Sequence, residues 1–189
     1  MGNAQSSCGV HPEEINSLRQ KTGLSGSQIE RLLWRFNSLD KKQKGYLEYK
    51  DLLVPELASN PFGERIIRLL LDESQEERLN FSEFVIALAR FSPHRKERIS
   101  INNKSAKIGF LFNVYDLDRK EKITPEIIIA MLQALQPNLE SEEDKAKDYV
   151  KKIFNEVDTD KDDNISFQEF MNALKDSDIV QRMSFNFLN

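Results

Sequence analysis

The sequence predicts an all-α protein built from four helix–loop–helix units paired into two lobes, with a short antiparallel ladder between the loops of each pair. Three observations predict it. A twelve-residue pattern that opens on Asp and places an aliphatic residue at position 8 recurs four times: Asp40–Asp51 with Leu47, Asp72–Glu83 with Leu79, Asp116–Ile127 with Ile123, and Asp158–Glu169 with Ile165. Apolar residues on both sides of each loop recur at helical spacing. One unit alone exposes the backbone of its position-8 residue, and a neighbour satisfies it by antiparallel pairing. Leu47 is therefore expected opposite Leu79, and Ile123 opposite Ile165.

The flanking helices follow in order. Ser25 and Gln28 form a capping box ahead of Ile29, Leu32, Leu33, Phe36 and Leu39. Asn60-Pro61 is expected to open the next helix as N-cap and first-turn proline, followed by Ile66, Ile67, Leu70 and Leu71. Phe81, Phe84, Val85 and Leu88 leave the second loop. Leu111, Phe112 and Tyr115 enter the third, and Thr124-Pro125 caps the helix of Ile128, Met131, Leu132 and Leu135. Ser141 begins the helix of Tyr149, Val150, Ile153, Phe154 and Val157. Phe170, Met171 and Leu174 follow the fourth loop. Trp34 is open to two readings, a core aromatic on the first of these helices or part of a groove.

The segments divide as an N-terminal stretch 1–21, a first lobe 22–89, a basic linker 90–107, a second lobe 108–178 and an apolar tail 179–189. The linker holds Arg90, Arg95, Lys96, Arg98, Lys104 and Lys107 against Glu97 alone, a local charge of +5 in a chain whose net charge is −4. Pro93, Ser100, Asn102 and Asn103 are linker chemistry. Contact with an acidic lipid or partner surface is the other reading. The tail carries Ile179, Val180, Met183, Phe185, Phe187 and Leu188, too apolar for a free end. It is expected either to cover a groove or to pack on the second lobe.

The fourth loop carries the chemistry. Asp158, Asp160, Asp162, Ser166 and Glu169 stand at positions 1, 3, 5, 9 and 12, and Asn164 at position 7 offers its backbone carbonyl. An all-oxygen set without His or Cys favours calcium over softer metals. Asp163 replaces the usual Gly at position 6, where φ is positive, at roughly 1 kcal/mol. The first loop has Lys42 and Lys44 at positions 3 and 5, whose ammonium groups cannot ligate a cation, and is expected to hold none. The third has Lys120 at position 5 and Ile127 at position 12. Its Glu126 is one residue early and points about 100° away along the helix. The second is left open: Asp72, Ser74, Glu76, Asn80 and Glu83 offer oxygens, but Glu77 at position 6 and Arg78 oppose binding. One strong calcium site is expected.

Composition bounds the rest. Charged residues make up 31% and hydrophobic ones 39%, a soluble globular balance. No apolar run reaches the roughly 18 residues of a membrane span, and the N-terminus lacks a signal peptide's apolar core. One cysteine, Cys8, excludes an internal disulfide and fits a reducing compartment. No phosphate loop, Cys/His pair or nucleophile motif supports an enzyme, and the net charge gives no general nucleic-acid footprint. Met1-Gly2-Asn3-Ala4-Gln5-Ser6 fits N-myristoylation at Gly2. One such chain binds membrane only marginally. Cys8 is either a second lipid site or a plain thiol, and His11 and His94 are given no role.

These residues resemble the calcineurin B-like EF-hand family, and within it most nearly the calcineurin B-homologous proteins. The resemblance rests on Thr22–Arg31, Arg35–Asp40, Pro55–Pro61, Glu64–Ile67, Asp116-Leu-Asp118 and the tail Gln181–Leu188, together nearly the whole chain. It implies a cytoplasmic, myristoylated regulatory subunit, peripheral at membranes, that clasps an amphipathic helix of a client. For the homologous proteins the implied client is the juxtamembrane region of a sodium/proton exchanger. For calcineurin B proper it is the catalytic subunit of a Ser/Thr phosphatase. A calcium buffer without a client is a further reading, which the apolar tail and lipid signal oppose. The family usually keeps ligands in both C-terminal loops; the third loop here departs from that.

Overall fold

The computed structural model describes residues 10–72, 74, 76–92, 103–135 and 143–178. Among them are ten helices and four two-residue strands. The first lobe contains α1 (Pro12–Thr22), α2 (Gly26–Leu39), β1 (Tyr46–Leu47), α3 (Tyr49–Leu52), α4 (Pro55–Ala58), α5 (Gly63–Asp72), β2 (Leu79–Asn80) and α6 (Phe81–Ala89). The second contains α7 (Lys104–Tyr115), β3 (Lys122–Ile123), α8 (Pro125–Leu135), α9 (Glu143–Val157), β4 (Ile165–Ser166) and α10 (Phe167–Ala173). Gly2, Cys8, the central part of the expected linker, Ser141 and the 179–189 tail lie outside the described residues.

Each ladder has the register that the loop pattern predicts. β1 and β2 pair antiparallel with Leu47 opposite Leu79, and β3 and β4 with Ile123 opposite Ile165. All four side chains are buried. Ser25 Oγ accepts the Gln28 N–H at 3.2 Å while Gln28 Oε1 accepts the Ser25 N–H at 2.9 Å, so the capping box forms as expected. Ile29, Leu32, Leu33 and Phe36 then face inward, and Phe36 meets Phe81 and Phe84 edge-on with centroids 5.6 Å away.

Three local expectations are corrected. The N-terminal stretch 1–21 is folded from Pro12. Pro12 in the first turn, Glu13 and Glu14 beside it, and Gly23 in the left-handed region (φ 72°) start and stop α1. Leu18 and Thr22 are buried, and α1 packs on α2 and α6. Asn60-Pro61 does not cap α5. It forms a turn in which Asn60 Oδ1 accepts the Phe62 N–H at 2.8 Å, and α5 begins at Gly63. A Cβ at Gly63 would lie 1.7 Å from the Leu57 carbonyl oxygen, so only Gly lets α4 and α5 approach this closely. Trp34 is 71% exposed, which excludes the core reading, and Tyr149 is 58% exposed on the outer side of α9.

The ends of the expected 90–107 linker belong to the fold. Phe91 and Ser92 are buried after α6, and Phe91 meets Phe110 edge-on at 5.1 Å. Lys107, expected as a solvated linker charge, is fully buried on α7 with Nζ 3.4 Å from the Ser92 carbonyl oxygen. The boundary at residue 108 therefore falls inside α7, which starts at Lys104.

The larger core joins the lobes. It holds the inward residues of α1–α6 together with Phe110, Val114 and Met131 of the second lobe. The second lobe's own core has only five buried members among the described residues: Phe112, Ile123, Val150, Phe154 and Ile165. Arg65 of α5 donates to the Asn113 carbonyl oxygen at 2.8 Å and also to that of Asp116, tying the end of α7 to the first lobe. Arg119 in the third loop pairs with Asp72 at the start of the second.

Because Phe110 sits in the shared core, Phe110→Ala is expected to cost about 3–5 kcal/mol. Native-state hydrogen exchange should speed up in α5 and α6 as well as in α7. A loss confined to α7 would show that the lobes are independent.

Candidate metal centre

Among the described residues, the loops share the same turn positions. Gln43, Glu77, Arg119, Glu121, Lys161 and Asp163 are the positive-φ residues other than glycine among the described residues, and each stands at position 4 or 6 of its loop. Gly45 takes position 6 of the first loop with φ 81°. The loops thus share their turns and differ in the charges those turns gather. Glu77, whose long side chain was expected to oppose the turn, adopts it at φ 51°.

In the fourth loop, Asp158, Asp160 and Asp162 each place one carboxylate oxygen within 4.8 Å of the others. Asp158 is buried at the end of α9, and backbone amides hold it in place. Its Oδ1 accepts the Lys161 N–H at 2.8 Å and its Oδ2 accepts the Asp163 N–H at 2.9 Å. Asp163 provides that amide from φ 59°. Asn164 turns its side-chain amide away, donating to the Asp162 carbonyl oxygen at 2.8 Å. This fits a role for Asn164 through its backbone alone. Desolvation first, and then the charges of Asp162, Glu169 and Asp158, raise the Asp160 carboxyl above its ordinary value. Crowded carboxylates of this kind favour a cation among them.

Glu169 lies outside that group of three. Its Oε1 accepts the Thr159 N–H and hydroxyl, each at 2.7 Å; its Oε2 accepts the Ser166 N–H at 2.9 Å and the Ser166 hydroxyl at 2.8 Å. The bond from the Ser166 amide, together with the other donors and against burial, lowers its pKa to about 2. Of the six residues expected as ligands, then, three aspartates come together and Glu169 is held ionised next to them. Ser166 serves as N-cap of α10 in a capping box with Glu169. Thr159, at position 2, was missed by sequence reasoning. Its place beside the first ligand is the only signal for it, and its hydroxyl gains a role only once the loop has closed.

The other loops carry cations of their own. In the first, Lys44 Nζ lies 2.7 Å from both Glu48 Oε2 and Asp51 Oδ2. Hydrogen bonds to Asp51 and then Glu48 raise the pKa of Lys44 far above its ordinary value. Burial raises Asp51, but the bonds from Lys44 and the Glu48 amide outweigh it and leave the carboxyl below its usual range. In the third loop Lys120 Nζ lies 2.6 Å from Asp118 Oδ2, and Ile127 packs against the core. In the second, Glu76 pairs with Arg78 and Asp72 with Arg119, so two of its oxygen donors already face guanidinium groups.

The donor set of the fourth loop fits calcium: hard carboxylate and carbonyl oxygens, three of them already convergent. Asp158, Asp160, Asp162, the Asn164 carbonyl, Ser166 and Glu169 would hold the ion. It would supply the positive charge that the other three loops draw from lysine or arginine side chains.

Comparisons with known proteins agree with this geometry. A family model described as an EF-hand domain pair matches residues 105–175, which span the third and fourth units. The calcineurin B subunit of Naegleria gruberi is 32% identical over 176 residues, covering 93% of this chain and 94% of that protein. That of Schizosaccharomyces pombe is 32% identical over 186 residues, covering 97% and 98%. The type 2 calcineurin B subunit of Dictyostelium discoideum is 32% identical over 170 residues, covering 89% and 87%. The chain belongs to the calcineurin B-like EF-hand family. The match runs through both lobes, so the calcineurin B-like relationship includes the first two loops. Membership implies calcium binding.

Glu169→Gln is expected to weaken calcium binding by at least about ten-fold, ~1.4 kcal/mol, in a calorimetric titration of the whole chain. Asp118→Asn in the third loop should leave the isotherm unchanged. Unchanged affinity in the Glu169 variant would refute the ligand assignment. Acid unfolding gives a second check. Folded Glu169 titrates at about 2 against an ordinary 4.5, so its contribution is complete above that ordinary value and drains as pH falls toward the folded one. In chelator, Glu169→Gln should flatten the acid-unfolding curve across that window.

Proposed function

We propose that this chain is a calcium-binding regulatory subunit that holds an amphipathic helix of a client protein, and that the client is the catalytic subunit of a Ser/Thr phosphatase. The observation that carries the first part is the partly buried apolar side of the second lobe among the described residues. Ile128, Ile129, Leu132 and Ile153 are only partly buried against its five-residue core, and Leu135 stands 53% exposed on α8. Such a surface suits helix-in-groove recognition, with affinity coming from apolar anchors along one helix face. The second part is supported by relatives named as calcineurin B subunits that match nearly end to end.

The exchanger reading is second. It rests on the resemblance of the Thr22–Asp40 block and of the Gln181–Leu188 tail to the calcineurin B-homologous proteins. In either case one calcium ion, in the 158–169 loop, acts as a brace for the second lobe. Gly2 carries a myristoyl group that places the cytoplasmic protein at membranes, where a client supplies the second contact.

Full-length protein titrated with two labelled helical peptides, one from a phosphatase catalytic subunit and one from an exchanger juxtamembrane region, separates these readings. The phosphatase peptide should bind at least about ten-fold tighter, and Ile128→Asp should abolish it. Tighter binding of the exchanger peptide would reverse the choice of client. Binding of neither would leave a calcium buffer.

A further inference from the structure

The position-5 lysine of the first EF-hand does more than exclude a metal. We infer that Lys44 is a tethered counter-ion that takes the place of the divalent cation in the first hand, so that the N-terminal pair of hands stays assembled without any metal. In a hand that binds calcium, the ion ties position 1 at the end of the entering helix to positions 9 and 12, which lead into the exiting helix. Here the Lys44 ammonium supplies the ties to positions 9 and 12, and its backbone amide, as in the third and fourth loops, holds position 1. Its backbone N–H donates to Asp40 Oδ1, at position 1, at 3.0 Å. Its ammonium reaches Glu48 at position 9 and Asp51 at position 12, both at 2.7 Å. Asp51 Oδ2 also accepts the Glu48 N–H at 2.9 Å, so the ammonium and the start of α3 share one oxygen.

The surroundings fit a held cation. The Lys44 side chain is 17% exposed, and its Nζ lies 4.8 Å from the centre of the Tyr46 ring. Arg78 of the second loop lies 4.6 Å from the same ring, so the ladder residue Tyr46 sits against cations from both loops. Charge separates this loop from the fourth. Residues 40–51 hold Asp40, Glu48 and Asp51 against four lysines, a net +1; residues 158–169 hold five acids against Lys161, a net −4. Carboxylates at positions 9 and 12 are neutralised from within in the first loop, while Asp40 at position 1 accepts backbone amides; the fourth loop's acids have no such lysine among them and suit a cation from solution.

Lys120 occupies the same position in the third loop and does not act this way. Position 12 there is Ile127, and the ammonium pairs with Asp118 at position 3. A lysine at position 5 becomes a clasp only where acids at positions 9 and 12 await it.

Hydrogen exchange of the full chain in chelator, with and without millimolar calcium, tests the inference. The amides of Tyr46–Leu52 and Leu79–Ala89 should keep their protection in chelator, while those of the 158–169 loop lose it. Lys44→Met should accelerate exchange at Tyr46–Leu52 by about ten-fold or more. Lys44→Arg should retain the protection. The double variant Lys42→Asp, Lys44→Asp should bind one more calcium per chain by calorimetry. Unchanged protection in Lys44→Met, or equal loss in Lys44→Arg, would overturn the inference, as would a double variant with unchanged stoichiometry.

Discussion

A helix–loop–helix unit of this kind leaves the N–H and C=O of its position-8 residue without a partner of its own, and a buried unpaired backbone group is costly. The two short ladders meet that demand, Leu47 with Leu79 and Ile123 with Ile165. Everything else is arranged around them. Each ladder brings two loops side by side, fixes which helices pack, and buries an aliphatic pair at the base of each lobe. The requirement belongs to the backbone, so it holds whether or not a loop can take a metal. That is why loops with lysine at ligand positions persist: each still provides half of a lobe.

Given the turns that the described residues share, side-chain charge distinguishes the loops. In the first, third and fourth loops the turns at positions 4 and 6 aim backbone amides at the position-1 carboxylate. Where a lysine or arginine lies within reach, the acids are neutralised from within, as with Lys44, Arg78 and Lys120. In the fourth loop three aspartates face one another instead, and Asp160 is destabilised by its neighbours. A divalent cation is the complement to that last arrangement. Two kinds of charge partner thus suit four copies of one motif: lysine and arginine side chains already pair with acids in the first three, and the aspartates of the fourth suit a diffusible cation.

The lobes are not beads on a flexible connection. Phe110 and Val114 enter the core of the first lobe, and Arg65 holds the carboxyl end of α7. The second lobe is therefore anchored on the first. Among the described residues, the second lobe keeps a small core of its own with a rim of partly buried apolar side chains.

The repeat, the ladder register, the capping box at Ser25 and the oxygen set of the fourth loop were legible from the residues alone, because each depends on local spacing. The α1 signals at Pro12 and Gly23 were present too, but the weak apolar pattern around Leu18 acquires meaning only against α6. What the tertiary structure alone decided is which side of a helix faces in and where each charge ends. Trp34 and Tyr149 sit one helical step from buried neighbours and turn outward. Lys107, one of six cations in a segment that reads as linker, is buried because α7 starts early and packs on Ser92. Lys44 was readable as a residue that cannot ligate a metal. That its ammonium reaches Glu48 and Asp51 depended on the loop closing, since a contact across four and seven residues follows from the three-dimensional turn and not from composition.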